Sequence, residues 1–166
     1  MMQFTKTVAS PVGELTLIAT DAGLSALLWP NDDPKRVRVG ERVAAPEHPI
    51  LVQAECELRA YFAGERTSFS VPLDAAGTEF QKKAWAALLT IPYGETRSYG
   101  ELARQIGNPK ASRAVGAANG RNPISIIVPC HRAIASDGAL TGFAGGLETK
   151  RHLLALEARG CVRQSA

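Results

Sequence analysis

The apolar positions follow two different spacings, and the change comes near residue 78. Before it, Leu15, Leu17 and Ala19 recur at every second residue and Leu24 to Trp29 forms another apolar run, the spacing of short strands. Pro11-Val12-Gly13 and Asp21-Ala22-Gly23 are turn signals, so the chain opens as an antiparallel meander. Asn31 to Pro49, rich in charge and proline, predicts a long surface loop. Ile50, Leu51, Ala54, Leu58, Tyr61 and Phe62 then recur at helical spacing, and Gly64 supplies a stop. Cys56 falls on this helix as a small core or surface residue.

From Thr78 onward the helical period dominates. Thr78-Glu79-Phe80-Gln81 has capping-box spacing, and Phe80, Ala84, Leu88 and Ile91 line one stripe until Pro92-Tyr93-Gly94 breaks it. Ser98-Tyr99-Gly100-Glu101 opens a second helix in the same way, ending at Gly107. Asn108-Pro109 supplies a cap residue and a proline for a third, which runs through Arg113 toward Asn119-Gly120. Two short helices about a glycine turn make a helix-turn-helix candidate, whose second helix is the one that approaches DNA. That helix is mostly small residues, which suit close packing against a groove or against the protein's own core. A glycine loop, Gly142 to Gly146, precedes a last helix expected from about Leu147 to Arg159 with Gly160 as its stop.

Composition narrows the class. With 166 residues, 45% hydrophobic and 21% charged, the chain is ordinary globular material for one domain or two small ones. No apolar stretch approaches the ~20 residues that span a bilayer, and the N-terminus lacks a secretion signal, so a soluble, cytoplasmic protein is expected. Cys56, Cys130 and Cys161 are an odd number without a C-x-x-C pair, which argues against a disulfide framework and a cysteine-rich zinc site. The net charge of +3 hides an asymmetry: residues 1–77 sum to −3 and residues 78–166 to +6. Between Arg97 and Arg132, six cations face one acid, Glu101. Such a surface attracts a phosphate backbone, although on charge alone a solvated basic face is an equal reading.

The chemistry concentrates at Ile126-Ile127-Val128-Pro129-Cys130-His131-Arg132. A thiol is nucleophilic as thiolate, and the cationic neighbours favour that form. Pro129 biases Val128 to extended geometry, and in an extended segment Cys130 and His131 point to opposite faces, so a bridging water is expected between them rather than direct contact. Glu157 sits on or near the apolar face of the last helix and needs a partner, for which His131 is a candidate.

Pro129-Cys130-His131-Arg132, Asn122-Pro123 eight positions before the cysteine, the Arg113 helix and Glu157 together resemble the O6-alkylguanine-DNA alkyltransferase family. Pro92-Tyr93-Gly94, Ser98-Tyr99, Gly107-Asn108-Pro109 and the glycine loop extend the resemblance over nearly all of residues 78–166, and it is weaker over 1–77. It implies an α+β protein of two domains. Residues 1–77 would form a small antiparallel sheet with a helix, ribonuclease H-like, and residues 78–166 a mostly helical domain like a winged helix-turn-helix.

The resemblance further implies single-turnover DNA repair. An alkyl group on guanine O6, and on thymine O4, would pass irreversibly to Cys130 without a cofactor, after the nucleotide is flipped from the duplex. Cys130 resembles the acceptor, His131 the water-mediated base, Glu157 the carboxylate that orients it, and Asn122 the link to the helix-turn-helix. Tyr99, Val128, Phe143 and Ala144 correspond to the base pocket. Arg113 resembles the arginine that fills the space of the flipped nucleotide, with Ser112, Ala114, Ala117, Asn119 and Arg121 beside it on DNA. The partner implied is duplex DNA carrying O6-alkylguanine, bound by a monomer, with cooperativity along DNA left open. Some relatives bind zinc in the N-terminal domain, but His48 and Cys56 are too few for a tetrahedral site, and no metal is expected. Two other readings compete: a non-enzymatic DNA-binding module or regulator, and a cysteine hydrolase using Cys130 and His131. His152 is expected at the surface, and Cys161 as a tail thiol without a role.

Overall fold

The computed structural model describes residues 2–140 and 142–165, with side chains described through residue 160, so Cys161 lies outside the described side chains. The first half is a four-stranded sheet in the order β3-β2-β1-β4, built from β1 (Gln3–Val8), β2 (Leu15–Ala19), β3 (Leu24–Leu28) and β4 (Arg42–Ala44). The meander is antiparallel as expected, but β4 runs parallel to β1 and makes the sheet mixed. β4 lies inside the segment read as a loop. Its three residues, Arg42, Val43 and Ala44, are all exposed, so no alternation of burial betrays it. Helix α1 (Pro49–Phe62) packs on this sheet and buries Leu51, Ala54, Leu58 and Tyr61. His48 accepts the Ile50 N–H as its cap and stacks on Phe4.

The second half is a cluster of three helices, α2 (Glu79–Leu89), α3 (Tyr99–Gln105) and α4 (Ser112–Gly120), followed by α5 (Leu147–Ser165). Both capping boxes form as the sequence suggests, Thr78 with Gln81 and Ser98 with Glu101. Between α3 and α4 the expected cap fails. α4 begins at Ser112 without a side-chain cap, and Asn108 only closes a backbone turn to Ala111. Two short strands, β5 (Arg97–Ser98) and β6 (Ala133–Ile134), pair in parallel beside these helices.

Gly160 does not stop the last helix, which continues to Ser165. A Cβ at position 160 would lie 2.8 Å from Tyr93 Cε1. The glycine thus serves close approach of a ring rather than chain reversal.

The two halves share one hydrophobic cluster, in which Leu15, Leu27, Trp29 and Tyr61 join Trp85, Leu88, Leu102, Ile124 and Leu153. Polar bonds reinforce it. The Leu27 N–H donates to the Pro123 carbonyl at 2.8 Å, and Trp29 Nε1 to Ser125 Oγ at 3.2 Å.

Candidate active site

Residues 122–129 form a buried irregular segment rather than the expected strand, and Cys130–Arg132 is one turn of 3₁₀ helix. Ile126 has φ 73°, a left-handed conformation that costs a β-branched residue energy and ends any extended run. Such a shape survives because its buried polar groups are met from elsewhere. Asn122 meets two of them. Its Nδ2 donates to the Val128 carbonyl at 2.9 Å, and its Oδ1 accepts the Ile124 N–H at 3.0 Å. The tight turn still separates the two side chains as expected. Among the described contacts, Cys130 Sγ has Ser125 Oγ at 3.9 Å, whereas His131 Nε2 meets Glu157 Oε2 at 2.6 Å. The direct thiol–imidazole contact of a cysteine hydrolase is not formed.

Glu157, from α5, is the hub of the site. Oε1 accepts from Arg132 Nε at 2.7 Å and from the Gly94 N–H at 3.3 Å, and Oε2 accepts from Arg132 Nη2 at 3.1 Å and Tyr61 Oη at 2.6 Å. Burial alone would raise its pKa, but the hydrogen bonds from His131 and Arg132 and the Arg132 charge prevail and hold it at about 2. Glu157 is therefore an ionised acceptor at neutral pH. Burial lowers the His131 pKa despite the carboxylate, so the ring is neutral. A neutral ring on an ionised carboxylate must carry its proton on Nε2, leaving a lone pair on Nδ1. Nδ1 is buried and has no protein partner, so the basic nitrogen is the one left available.

The thiol departs from the sequence expectation. Burial pushes the Cys130 pKa up, against the smaller opposing effects of Asn122, Ser125, Arg36 and Lys150. Arg132, counted as an activator and as part of the basic surface, is buried and spends its guanidinium on Glu157 and the Ile91 carbonyl. Cys130 is thus a thiol at rest, and any reaction at its sulfur would need a base.

The remaining expected residues separate into an inner and an outer group. Val128 is buried two residues before Cys130, Tyr99 is half-buried at the start of α3, and Phe143 is half-buried with its ring 5.5 Å from Trp29, while Ala144 is exposed. On α4, Arg113, Ala114 and Ala117 are exposed and Ser112 is half-buried. Arg121, just past the helix, is exposed and donates to the Lys35 carbonyl at 3.2 Å. Asn119 does not join this outer face. It is buried, with Nδ2 on the Cys130 carbonyl at 3.3 Å and Oδ1 unpartnered, because its place on the helix faces the core with Val115 and Ala118.

Sequence reasoning missed several contributors. Arg36 donates to the Asn122 carbonyl at 2.7 Å from within the charged loop. Lys150 buries its ammonium against the Ala133 carbonyl at 2.8 Å, two helical turns before Glu157 on the same face of α5, a spacing that could have flagged it. Tyr61 lay in an apolar helical stripe, where a buried phenol signals a polar partner elsewhere. Among the described residues, no group of three or more His, Cys, Asp or Glu could hold a metal ion.

Residues 4–75 match the ribonuclease-like domain of 6-O-methylguanine DNA methyltransferase, and residues 79–159 match its DNA binding domain. A methylated-DNA–protein-cysteine methyltransferase of Mycolicibacterium paratuberculosis is 54% identical over 155 residues, 93% of this chain and 92% of the relative. One from Methanosarcina acetivorans is 53% identical over 89% of this chain and 94% of its own. The crystal structure of Mycobacterium tuberculosis OGT in complex with DNA superimposes with a TM-score of 0.87 at 49% identity, covering 96% of this chain and 94% of the other. With both halves matched in order and half of all positions shared with full-length relatives, the chain belongs to the 6-O-methylguanine DNA methyltransferase family.

Proposed function

We propose that the protein repairs O6-alkylguanine in duplex DNA by moving the alkyl group to Cys130, once per molecule. The observation that carries this reading is a buried thiol next to a neutral imidazole whose Nδ1 is free and whose Nε2 is held by an ionised Glu157. The relatives' names and the DNA complex of the Mycobacterium tuberculosis protein support it.

The chemistry balances without a cofactor. A water between His131 Nδ1 and Cys130 relays the thiol proton to the imidazole as Sγ attacks the alkyl carbon. The S–C bond forms, the C–O6 bond breaks with its electron pair moving into the guanine, and the relayed proton returns to that base. Tyr99, at the pocket, is suited to donate a hydrogen bond to the departing purine. The product is a thioether, which hydrolysis does not reverse.

Cys130 is 3% exposed, so a stacked base cannot reach it in line. The nucleotide has to leave the duplex, with Arg113 on the exposed side of α4 taking its place. Ser112, Ala114, Ala117 and Arg121 would line the same approach, and Val128, Phe143 and Ala144 the base pocket. Among the described residues no helix is long and apolar enough to cross a membrane, and work on DNA with a reduced thiol fits the cytoplasm. O4-alkylthymine fits the same displacement as a second substrate.

The test is stoichiometry. On mixing with a duplex bearing O6-methylguanine, intact mass should rise by ~14 Da on Cys130 and stop at one equivalent, and Cys130→Ser should show no gain. Repeated turnover, or an unmodified Cys130, would overturn the reading.

A further inference from the structure

We infer that Tyr61, from α1 in the N-terminal half, is a positioning residue for alkyl transfer: its hydroxyl, on the same carboxylate oxygen as His131, sets how much of the Glu157 charge the imidazole receives. This rests on the function proposed above and adds to it a part for the N-terminal half in the chemistry.

The geometry is specific. Glu157 Oε2 takes Tyr61 Oη at 2.6 Å and His131 Nε2 at 2.6 Å, with Arg132 Nη2 farther away at 3.1 Å. Tyr61 is fully buried, and both burial and the Glu157 charge drive its pKa far upward, so it stays a donor at every working pH. Two short donors on one oxygen compete for the same electron density. With Tyr61 in place, His131 is held in orientation but is not pulled strongly toward imidazolium. Without the hydroxyl, Oε2 turns more of its charge to His131, the ring becomes easier to protonate, and Nδ1 is occupied by a proton over more of the acid range.

The other charged groups near the imidazole favour the neutral ring. Lys150 of α5 and Arg132 of the same turn are cationic and lower its pKa, while Cys130 beside it is an uncharged thiol. Against them stands Glu157, which acts on His131 by hydrogen bond and by charge, so a group that shares Glu157 bears on the base strength. The Arg132 guanidinium carbon lies over the Tyr93 ring, 5.8 Å from its centroid.

The experiment is single-turnover alkylation by free O6-benzylguanine, followed by intact mass from pH 5 to 9, in wild type and in Tyr61→Phe. The free base bypasses DNA binding and flipping. Transfer to wild-type Cys130 tests the proposed function separately; if it fails, that reading fails whatever the variant does. Given transfer, Tyr61→Phe should move the acid limb of the profile upward by about half a pH unit or more, a loss of about threefold on that limb with little change on the plateau above it. Leu58→Ala, on the same buried face of α1, controls for lost packing and should leave the limb where it is. A profile identical to wild type, or an equal loss at all pH values with an unmoved limb, overturns the inference. If Tyr61→Phe does not fold, proton NMR of the wild type decides. An exchange-protected Tyr61 hydroxyl proton close to the His131 Nε2 proton is required, and its absence overturns the inference independently.

Discussion

Arg36 donates to the backbone carbonyl of Asn122 at 2.7 Å, joining a charged loop of the N-terminal half to the residue that holds the Cys130 segment in shape. The guanidinium is itself gripped by Asp32, Nε to Oδ1 at 2.8 Å and Nη2 to Oδ2 at 2.6 Å, which sets the direction of the bond. Arg36→Met should lower stability by about 1.5–3 kcal/mol, the usual loss for a hydrogen bond from a charged group. Thermal melting measures it, and a change under half a kcal/mol would mean that solvent replaces the bond.

Asn122→Ala removes both a donor and an acceptor from buried backbone. Leaving the Val128 carbonyl and the Ile124 N–H unpaired should cost about 2–5 kcal/mol and slow transfer even to the free base, since Val128 is two residues from the thiol. Urea unfolding together with single-turnover rates would detect both effects.

Arg113→Ala should discriminate between substrates. Arg113 is exposed on α4, so its loss should slow repair in duplex DNA far more than reaction with free O6-benzylguanine. Equal losses on both would point to a folding defect.

His131 and Glu157 both have native pKa values below their ordinary ones of 6.5 and 4.5. The unfolded chain therefore binds more protons, and stability rises with pH wherever that holds. The contribution is complete above about pH 6.5 and declines below it, first through His131 and then through Glu157 between 4.5 and about 2. Chemical denaturation at a series of pH values reads this slope. A flat profile between pH 7 and 4 would contradict the buried neutral imidazole.

Cys130 should resist general alkylating reagents. Its pKa is raised by burial, whereas Cys56 is exposed, so iodoacetamide at pH 7.5 should label Cys56 well before Cys130. Peptide mass mapping over time distinguishes the two.

The sequence revealed most where local chemistry decides structure. The capping boxes at Thr78 and Ser98, the glycine after α3 and the alternating strands were all legible, because each depends on residues within a few positions. β4 was not, since an exposed three-residue strand is defined by its partner β1 rather than by its own pattern. At the site, Cys130, His131, Asn122 and Glu157 could be named from motif and spacing. The state of the thiol could not: neighbours in sequence suggested activation, and only the fold reveals that Arg132 turns to Glu157 and that the sulfur is buried. Asn119 was misplaced for the same reason, because position on a helix and not polarity decides which way a side chain faces.

The sheet and the helices share a single apolar cluster, and this reaches beyond packing. A boundary drawn near residue 77 would cut across that shared cluster. Cutting there would strip Trp29 and Tyr61 from Ser125 and Glu157, and leave the half that matches a DNA binding domain with its Cys130 segment unsupported. The two halves are expected to melt in one transition, and the machinery that handles the lesion is a property of the whole chain.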